Sequence, residues 1–357
     1  MLSLDDPKII QKYDRSNMIG LIASFPRQCR VAKKIGLAFD LPRSYKKRYE
    51  NIVCTGLGGS AIGADIMRSY ILDSAKTPLA VNRGYLLPGF VSGSSLVIVS
   101  SYSGDTEETI SAYKDARGKG VNIIAITSGG RLRKMAEADG FPVLVIPGGL
   151  PPRAALGYSS ITLLMVLSKA GIIKDQSAHI DEAIEVMKCL ERDEIGFSIS
   201  QKKNSAKNIA ARLYGKYPVI YGAQDRIDAV VTRWRGQLAE NAKTLASSHF
   251  FPEMNHNEIV GWDHPAAILK DCAVVVLHDR GDHPRVAKRM DITEKLIGDR
   301  CASITDVRSS GKGLLARIFS LIHTGDFVSF YLAMLNKCDP TPVERISYLK
   351  RQLAGKE

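Results

Sequence analysis

The sequence predicts an α/β protein made of two halves, each a parallel β-sheet flanked by helices. The apolar, β-branched runs of the first half lie at residues 52–54, 96–99, 123–126 and 143–146. A second set lies at residues 219–221, 273–277 and 303–307. Helical segments alternate with these runs, which is typical of a parallel sheet covered on both faces. We therefore expect two doubly wound sheets of the same architecture.

The chain divides into four segments around these sheets. Residues 1–50 form a helical leader with helix-like apolar spacing, and the LPRS sequence at residues 41–44 breaks it. Residues 51–160 hold the first sheet and residues 161–216 form a helical bridge. Residues 217–357 hold the second sheet and the C-terminal helices, one of which, LLARIFSLIHTGDFVSFYLAML, has no clean polar face. That composition indicates a helix buried between halves or between subunits.

Composition and charge limit the classes of partner. The 357 residues are 45% hydrophobic and 24% charged, which is ordinary for a soluble globular protein. No run approaches the roughly eighteen uncharged apolar residues needed to span a bilayer, and the N-terminus opens with acidic and polar residues. We therefore expect a cytoplasmic protein with no membrane partner.

A net charge of +12 is compatible with a nucleic-acid partner or with a small anion. The basic clusters are spread along the chain, and no helix-turn-helix signature, zinc-finger spacing or basic heptad region is present. We expect no nucleic-acid partner. The six cysteines contain no CxxC pair, and HxH and HExxH patterns are absent, so we also expect no metal.

Two loops carry the first functional signal. GLGGSAIG at residues 56–63 and SSYSGDTEET at residues 100–109 each lie between an apolar strand and a helical run. At such a junction the first helical N–H groups have no internal partner, and the helix dipole favours an anion. Glycine lets the backbone approach the ligand, and hydroxyl groups donate to phosphate oxygens. The phosphate-binding candidates are Gly59, Ser60, Ser101, Ser103 and Thr106.

Either loop alone is more often ordinary turn and N-cap chemistry, so the pair is the better signal. Neither fits GxxxxGK[ST], and the first is not a clean GxGxxG. The sequence therefore predicts a phosphate site without a nucleotide cofactor.

The two loops resemble those of sugar isomerase domains, which bind phosphosugars, and the whole chain resembles the archaeal-type bifunctional phosphoglucose/phosphomannose isomerases. Further segments that carry this resemblance are PPRAALGYSS at 151–160, RWRGQLAENAK at 233–243, FPEMNHNEIVGW at 251–262 and GDFVSFYLAMLNKCDPTPV at 325–343. The resemblance implies two sugar-isomerase-type halves. It also implies metal-independent interconversion of glucose 6-phosphate and mannose 6-phosphate with fructose 6-phosphate.

This reaction moves a proton between the first two sugar carbons through a cis-enediol, and a carboxylate can carry that proton. The resemblance assigns this role to Glu240, which would otherwise be an ordinary helix-surface residue. It assigns ring opening to His256, reaching the pocket from the neighbouring subunit of a homodimer, with His264 as the rival. Arg153 follows two prolines and supplies a fixed guanidinium for the charge of the enediol.

The C-terminal segment adds two further candidates. Thr341 and Lys350 resemble a threonine and a lysine that line the pocket in this family. The threonine would help to rotate the open-chain sugar, so that one base acts on both epimers. A turn residue and a solvated lysine are the alternative interpretation.

Two other functions remain open at this stage. A non-catalytic phosphosugar-binding regulator would keep Ser60, Ser101 and Thr106 without needing Glu240 or His256. An aminosugar-phosphate isomerase would use the same fold with an ammonia-handling partner, for which the sequence shows no N-terminal cysteine nucleophile.

Overall fold

Three helices form the leader segment in the computed structural model, which describes residues 3–353 and 355. They are α1 (Pro7–Tyr13), α2 (Met18–Ala23) and α3 (Phe25–Ala38). Asp6 and Asn17 cap the first two through their side chains. The leader then reaches the first sheet, where the buried Tyr45 hydroxyl donates to the Ile123 carbonyl at 3.0 Å. Residues 1, 2, 354, 356 and 357, which belong to the predicted end segments, lie outside the described residues.

The first sheet is fully parallel and has five strands. They are β1 (Asn51–Thr55), β2 (Leu79–Asn82), β3 (Ser95–Ser101), β4 (Asn122–Thr127) and β5 (Val143–Val145). The spatial order is β2-β1-β3-β4-β5. The intervening helices are α4 (Gly58–Ile71), α5 (Glu107–Gly118) and α6 (Gly130–Ala138). Every residue of β3 is buried, as expected of a central parallel strand.

The second sheet is also parallel, with four strands in the order β7-β6-β8-β9. They are β6 (Tyr217–Ala223), β7 (Ser247–Phe251), β8 (Cys272–His278) and β9 (Ser303–Arg308). Its helices are α10 (Asp228–Glu240), α11 (Ala266–Leu269) and α12 (Pro284–Ile297). The predicted α/β class with two parallel sheets is confirmed.

The sequence missed β2 and β7. β2 is a four-residue edge strand of half-buried residues, and β7 has the mixed sequence SSHFF. Edge strands are solvated on one side, so they do not need the continuous apolar run that marks a central strand. In each sheet the strand order reverses beside the first strand, between β1 and β3 and between β6 and β8. Loops at the carboxyl ends of these strand pairs are the usual ligand sites of doubly wound sheets.

Five further helices complete the described chain. They are α7 (Leu156–Lys169), α8 (Ser177–Leu190), α9 (Ser205–Leu213), α13 (Leu314–Leu335) and α14 (Glu344–Leu353). The boundary predicted between residues 160 and 161 falls inside α7, an unbroken helix. The division into four segments stays a prediction.

Helix α13 is the centre of the molecule. It packs against α8, α9 and α10, and it also touches α2 and α4 of the first half. Within the described part of the chain it is the one helix long and apolar enough to cross a membrane, but it is completely buried inside the protein. α13 is therefore a core helix between the halves.

The close packing of α13 against α10 predicts that a larger side chain at Gly325 lowers the stability of the protein. A Cβ atom on Gly325 would lie 2.3 Å from Nε1 of Trp234, whose indole donates to the Leu321 carbonyl at 2.9 Å. We expect Gly325→Ala to lower the free energy of unfolding by about 1–3 kcal/mol through overpacking. Denaturant unfolding of the purified variant measures this.

Gly236→Ala is the matched control, because Gly236 lies two residues after Trp234 on α10 and a Cβ there meets nothing within 4 Å. Alanine at that position should leave stability unchanged or raise it by up to about 1 kcal/mol. Equal stability of Gly325→Ala and wild type would contradict the close helix packing.

Candidate active site

The two predicted phosphate loops lie side by side at the carboxyl edge of the first sheet. They follow β1 and β3, the strands between which the order reverses. A Cβ atom on Gly56 would lie 2.6 Å from the Ser100 carbonyl oxygen, so only glycine lets the first loop approach the second this closely. The two loops therefore form one continuous site rather than two.

Ser101 and Thr106 organise the second loop. The buried Ser101 hydroxyl donates to Thr106 Oγ1 at 3.1 Å and accepts from the Gly104 amide at 3.1 Å. Gly104 has φ +76°, and a Cβ there would collide with the Gly129 carbonyl. Thr106 is the N-cap of α5, yet its side chain makes no capping hydrogen bond in this structure. Its hydroxyl proton and the first amides of α5 are left available to an anion.

The first loop has the same character. Leu57 is the N-cap of α4 and cannot cap it, so the amides at the start of α4 also lack a side-chain partner. Ser60 is buried and faces this end, and no side-chain hydrogen bond of Ser60 exists among residues 3–353 and 355. Ser103 differs, because it is exposed and its hydroxyl accepts from the Asp105 amide at 3.3 Å.

Gly59 connects the loops to the PPRAALGYSS segment at residues 151–160. A Cβ on Gly59 would lie 2.4 Å from the Pro152 carbonyl oxygen, so the PPR turn rests directly on the start of α4. The turn from Pro152 to Ala154 is a single 3₁₀ turn preceded by a second proline. The two prolines fix the backbone and direct Arg153 toward the second half.

Arg153 is buried, with 5% of its surface exposed, and most of its donors have partners. Nε donates to Asn241 Oδ1 at 2.7 Å, and Nη2 donates to the carbonyl oxygens of Pro340 and Thr341 at 2.6 and 2.8 Å. In the described part of the chain, Nη1 has one ionic neighbour, Glu240 Oε2, at 3.6 Å. The guanidinium therefore keeps one nitrogen for a ligand between Arg153 and Glu240.

The burial of Arg153 affects the charge balance of the site. Burial lowers the pKa of Arg153, and the Glu240 carboxylate opposes that shift. Glu240 is the last residue of α10 and its side chain is 36% exposed, so it reaches both Arg153 and open solvent. A carboxylate in this position can exchange protons with a ligand held against the guanidinium.

Three buried polar residues, two on α10 and one just after it, support Arg153 and were not predicted from the sequence. Two of them contact Arg153, and Gln237 acts through Asp326. Arg233, Gln237 and Asn241 follow each other at four-residue intervals, the spacing of one helix face. Arg233 Nη2 donates to the Arg153 carbonyl at 3.0 Å and to Asp326 Oδ2 at 2.7 Å. The sequence feature that could have identified them is their spacing, which places three polar side chains in a row along one face of a helix.

Asp326 on α13 is the counterion of this network. Its other oxygen accepts from Gln237 Nε2 at 2.9 Å, and its backbone carbonyl accepts from the Ser329 hydroxyl at 2.7 Å. Ser329 in turn accepts from Asn241 at 3.0 Å. A lone aspartate in a long apolar helix needs such partners, because burying an unpaired charge is very costly. The position of Asp326 as a single aspartate in an apolar helix is the sequence feature that could have identified it as a site residue.

Lys243 was also missed, although the ENAK segment contains it. Its Nζ donates to the carbonyl oxygens of Glu240 at 2.5 Å and Pro342 at 2.7 Å. Burial and the neighbouring charge of Arg153 lower the pKa of Lys243. The lysine ties the end of α10 to the C-terminal loop, and so fixes the backbone beside Glu240.

Thr341 and Lys350 have different surroundings. Thr341 lies against Arg153, and its hydroxyl oxygen is buried without a hydrogen-bond partner in the described residues. Lys350 is exposed on α14, a helix with no buried residue. The structure therefore brings Arg153, Glu240 and Thr341 together, and leaves Lys350 outside this group within one chain.

His256 also lies outside the group. It ends a 3₁₀ turn (Glu253–His256) after β7, is exposed, and makes no hydrogen bond with any described residue. The asparagines on either side of it have other partners, because Asn255 donates to Thr293 and Asn257 to Glu253, both at 2.9 Å. His264 is exposed as well.

Among the described residues, a group of metal-ligand type is formed by His278, Glu294 and Asp306 in the second half. Sequence spacing did not predict this group, because its residues are far apart in the chain and match no metal motif.

The chain is similar in sequence to proteins of known family. Residues 202–353 match the family model "Bacterial phospho-glucose isomerase C-terminal SIS domain". The chain is 47% identical to a bifunctional phosphoglucose/phosphomannose isomerase of Caldicellulosiruptor bescii, covering 94% of this chain and 99% of that protein. It is 36% identical to a protein of the same name from Aquifex aeolicus, covering 85% and 91%.

Solved structures share the fold at lower identity. A glucose-6-phosphate isomerase like protein from Thermus thermophilus superposes with a TM-score of 0.65 at 15% identity, covering 97% of this chain and all of that one. At this identity the similarity establishes the fold alone, with two sugar-isomerase-type sheets.

The anion-binding geometry of the loops can be tested with inorganic phosphate. We expect Thr106→Val to weaken phosphate binding by roughly tenfold, the typical effect of one hydrogen bond to a charged group. Isothermal titration of phosphate into wild type and variant measures the two dissociation constants. Ser94→Ala is the control, since Ser94 precedes β3 at the opposite end from Ser101 and its hydroxyl donates to Glu50. Unchanged affinity in Thr106→Val would contradict the site.

Proposed function

Since the chain belongs to the family of bifunctional phosphoglucose/phosphomannose isomerases, we propose that it interconverts glucose 6-phosphate and mannose 6-phosphate with fructose 6-phosphate. The observation that carries this proposal is the pairing of the buried Arg153 with Glu240. A regulator that only binds phosphosugars has no use for a desolvated guanidinium held beside a solvent-accessible carboxylate. Isomerisation requires both.

The proposed reaction begins when Glu240 removes the proton from the second carbon of the open-chain aldose phosphate. The electron pair forms the enediol, and negative charge develops on its oxygens. Nη1 of Arg153 stabilises that charge, an interaction typically worth about a hundredfold or more in rate. The hydroxyl proton on the second carbon's oxygen passes to the first carbon's oxygen, and Glu240 returns its proton to the first carbon, which yields the ketose. Proton transfer and charge stabilisation suffice for these steps, so we propose a metal-independent reaction.

The phosphate would bind at the paired starts of α4 and α5. Gly59, Ser60, Ser101 and Thr106 support this assignment through their positions at that edge, and we keep Ser103 as a peripheral contact. The PPR turn rests on Gly59, so the phosphate loops and Arg153 belong to one rigid assembly. Binding the phosphate there would hold the reacting carbons at a constant distance from Glu240.

We further propose that the working unit is a homodimer in which His256 reaches the pocket of the neighbouring subunit. Exposed apolar side chains support a partner surface on the second half, since Leu245, Val260 and Ile268 are 76%, 73% and 59% exposed. Helix α14 adds an exposed apolar stripe, formed by Ile346, Leu349 and Leu353. A second copy covering these surfaces would bring His256, and with it Lys350, toward a pocket.

Glu240→Gln tests the base. The variant should lose both isomerisations by roughly a hundredfold to ten-thousandfold, together with exchange of the substrate's second-carbon proton into solvent. Coupled assays from fructose 6-phosphate measure both products, and deuterium incorporation measures exchange. Glu185→Gln, an exposed carboxylate on α8, should retain wild-type rates. Retained proton exchange in Glu240→Gln would remove it as the base.

Mixing two inactive variants tests the shared site. If His256 serves the neighbouring pocket, a heterodimer of Glu240→Gln and His256→Ala contains one pocket with both native residues. Random re-association should then restore about a quarter of wild-type activity, because half of the dimers are mixed and each has one intact pocket. Co-refolding the variants and assaying the mixture measures this. No recovery, with mixed dimers shown by differently tagged subunits, would place both residues in one subunit.

A further inference from the structure

Three side chains of metal-ligand type converge in the second half, away from Arg153 and Glu240. They are His278 at the end of β8, Glu294 on α12 and Asp306 on β9. His278 Nε2 lies 3.3 Å from Asp306 Oδ1 and 3.4 Å from Glu294 Oε1. The three ligand atoms all lie within 4.8 Å of one another.

The convergence follows from strand register. Val276 of β8 pairs with Asp306 of β9, and His278 pairs with Arg308. Alternate residues of a strand share one face, so His278 and Asp306 point to the same side of the sheet. Helix α12 connects the two strands and places Glu294 over that face. Three separate elements therefore supply the three side chains.

Two of the ligand atoms are buried without partners. His278 is 7% exposed, and its Nε2 makes no hydrogen bond with any residue that the structure describes. Glu294 Oε1 is likewise buried and unpaired in that part of the chain. Buried polar atoms nearly always have a hydrogen-bond partner. Among the described residues, only the 3.3 and 3.4 Å contacts at His278 Nε2 offset the desolvation of these two atoms.

The distances fit a metal ion better than a hydrogen bond. An ordinary N–H···O bond is about 2.9–3.0 Å long. Ligands placed about 2.0–2.1 Å from a tetrahedral Zn²⁺ are separated by roughly 3.4 Å, which is close to the two separations at His278 Nε2. An open groove of about 510 Å³, lined by Glu294 and Asp306 among others, leaves room for a water molecule as the fourth ligand.

We propose that His278, Glu294 and Asp306 bind a divalent transition-metal ion, with Zn²⁺ and Co²⁺ as suitable probes. One imidazole and two carboxylates suit these ions rather than Mg²⁺ or Ca²⁺, which prefer oxygen ligands alone. The groove is lined by Asp291 and also by the cationic Arg212 and Lys295, so the charge that favours a cation comes from Glu294 and Asp306 themselves. Arg308 contacts Asp306 through Oδ2 at 3.6 Å, which leaves Oδ1 for the metal.

The role of this ion is structural. β9 is an edge strand of the second sheet, and the ion would fasten it to β8 and α12 without touching the residues of the isomerisation. An ion that binds only the folded state raises its stability. Saturating Zn²⁺ should therefore raise the Tm of the chelator-treated full-length protein by on the order of a few degrees. Isomerase activity below the Tm should remain unchanged.

Co²⁺ titration of the metal-free full-length protein provides the direct test. Wild type should bind one Co²⁺ per chain with the visible d–d bands of a four-coordinate site, and Zn²⁺ should abolish them by displacement. Glu294→Gln and Asp306→Asn keep the side-chain shapes and should each lower affinity by at least about tenfold. Their Tm in chelator should match or exceed that of wild type, because each removes one of two repelling carboxylates.

Two control variants separate this site from adventitious binding. Asp271→Asn changes an exposed carboxylate just before the opposite end of β8, and Cys189→Ser removes an exposed thiol. Both should bind Co²⁺ as wild type does. The proposal is overturned if wild type shows no saturable one-to-one site, or if Glu294→Gln and Asp306→Asn bind with wild-type affinity. Activity lost in chelator and restored by Zn²⁺ would overturn the structural role.

Discussion

The buried guanidinium of Arg153 is the interaction on which the rest of the site depends. It belongs to the end of the first half, yet its partners are Asn241 just after α10 and the carbonyl oxygens of Pro340 and Thr341 near the C-terminus. Removing a guanidinium from water costs several kcal/mol, which only well-placed partners can offset. The two halves and the C-terminal loop must therefore be assembled correctly before Arg153 can be buried.

The supporting network extends this constraint into the core. Arg233 holds the Arg153 carbonyl and is neutralised by Asp326, and Gln237 occupies the second oxygen of the same carboxylate. Asp326 sits on α13, which packs against both halves. Because the charges of this network lie in a low-dielectric interior, each is fixed by its neighbours. Nη1 of Arg153 and the Glu240 carboxylate remain at the edge of the network, where a substrate can enter.

The fold builds the proposed phosphate site by a more local route. The starts of α4 and α5 meet because β1 and β3 are neighbours and the strand order reverses between them. Glycines at positions 56 and 59 allow the backbones to come close enough for the two helix ends and the PPR turn to touch. Thus the rigid part of the pocket lies within one chain, whereas His256 and α14 remain on the surface.

The sequence by itself determined the features that local pattern encodes. Apolar runs predicted the central strands, and glycine with hydroxyl residues at strand ends predicted the paired loops. The segments around Arg153 and Glu240 identified two residues that the fold places in contact. The edge strands β2 and β7 were not predicted, because half-solvated strands lack a continuous apolar run.

Tertiary structure alone decided the partners of each buried polar group. Packing of elements that are distant in the chain brings these groups together, and no short-range periodicity in the sequence predicts which residues become neighbours. The groups are Arg153 with Thr341, Arg233 with Asp326, and His278 with Glu294 and Asp306.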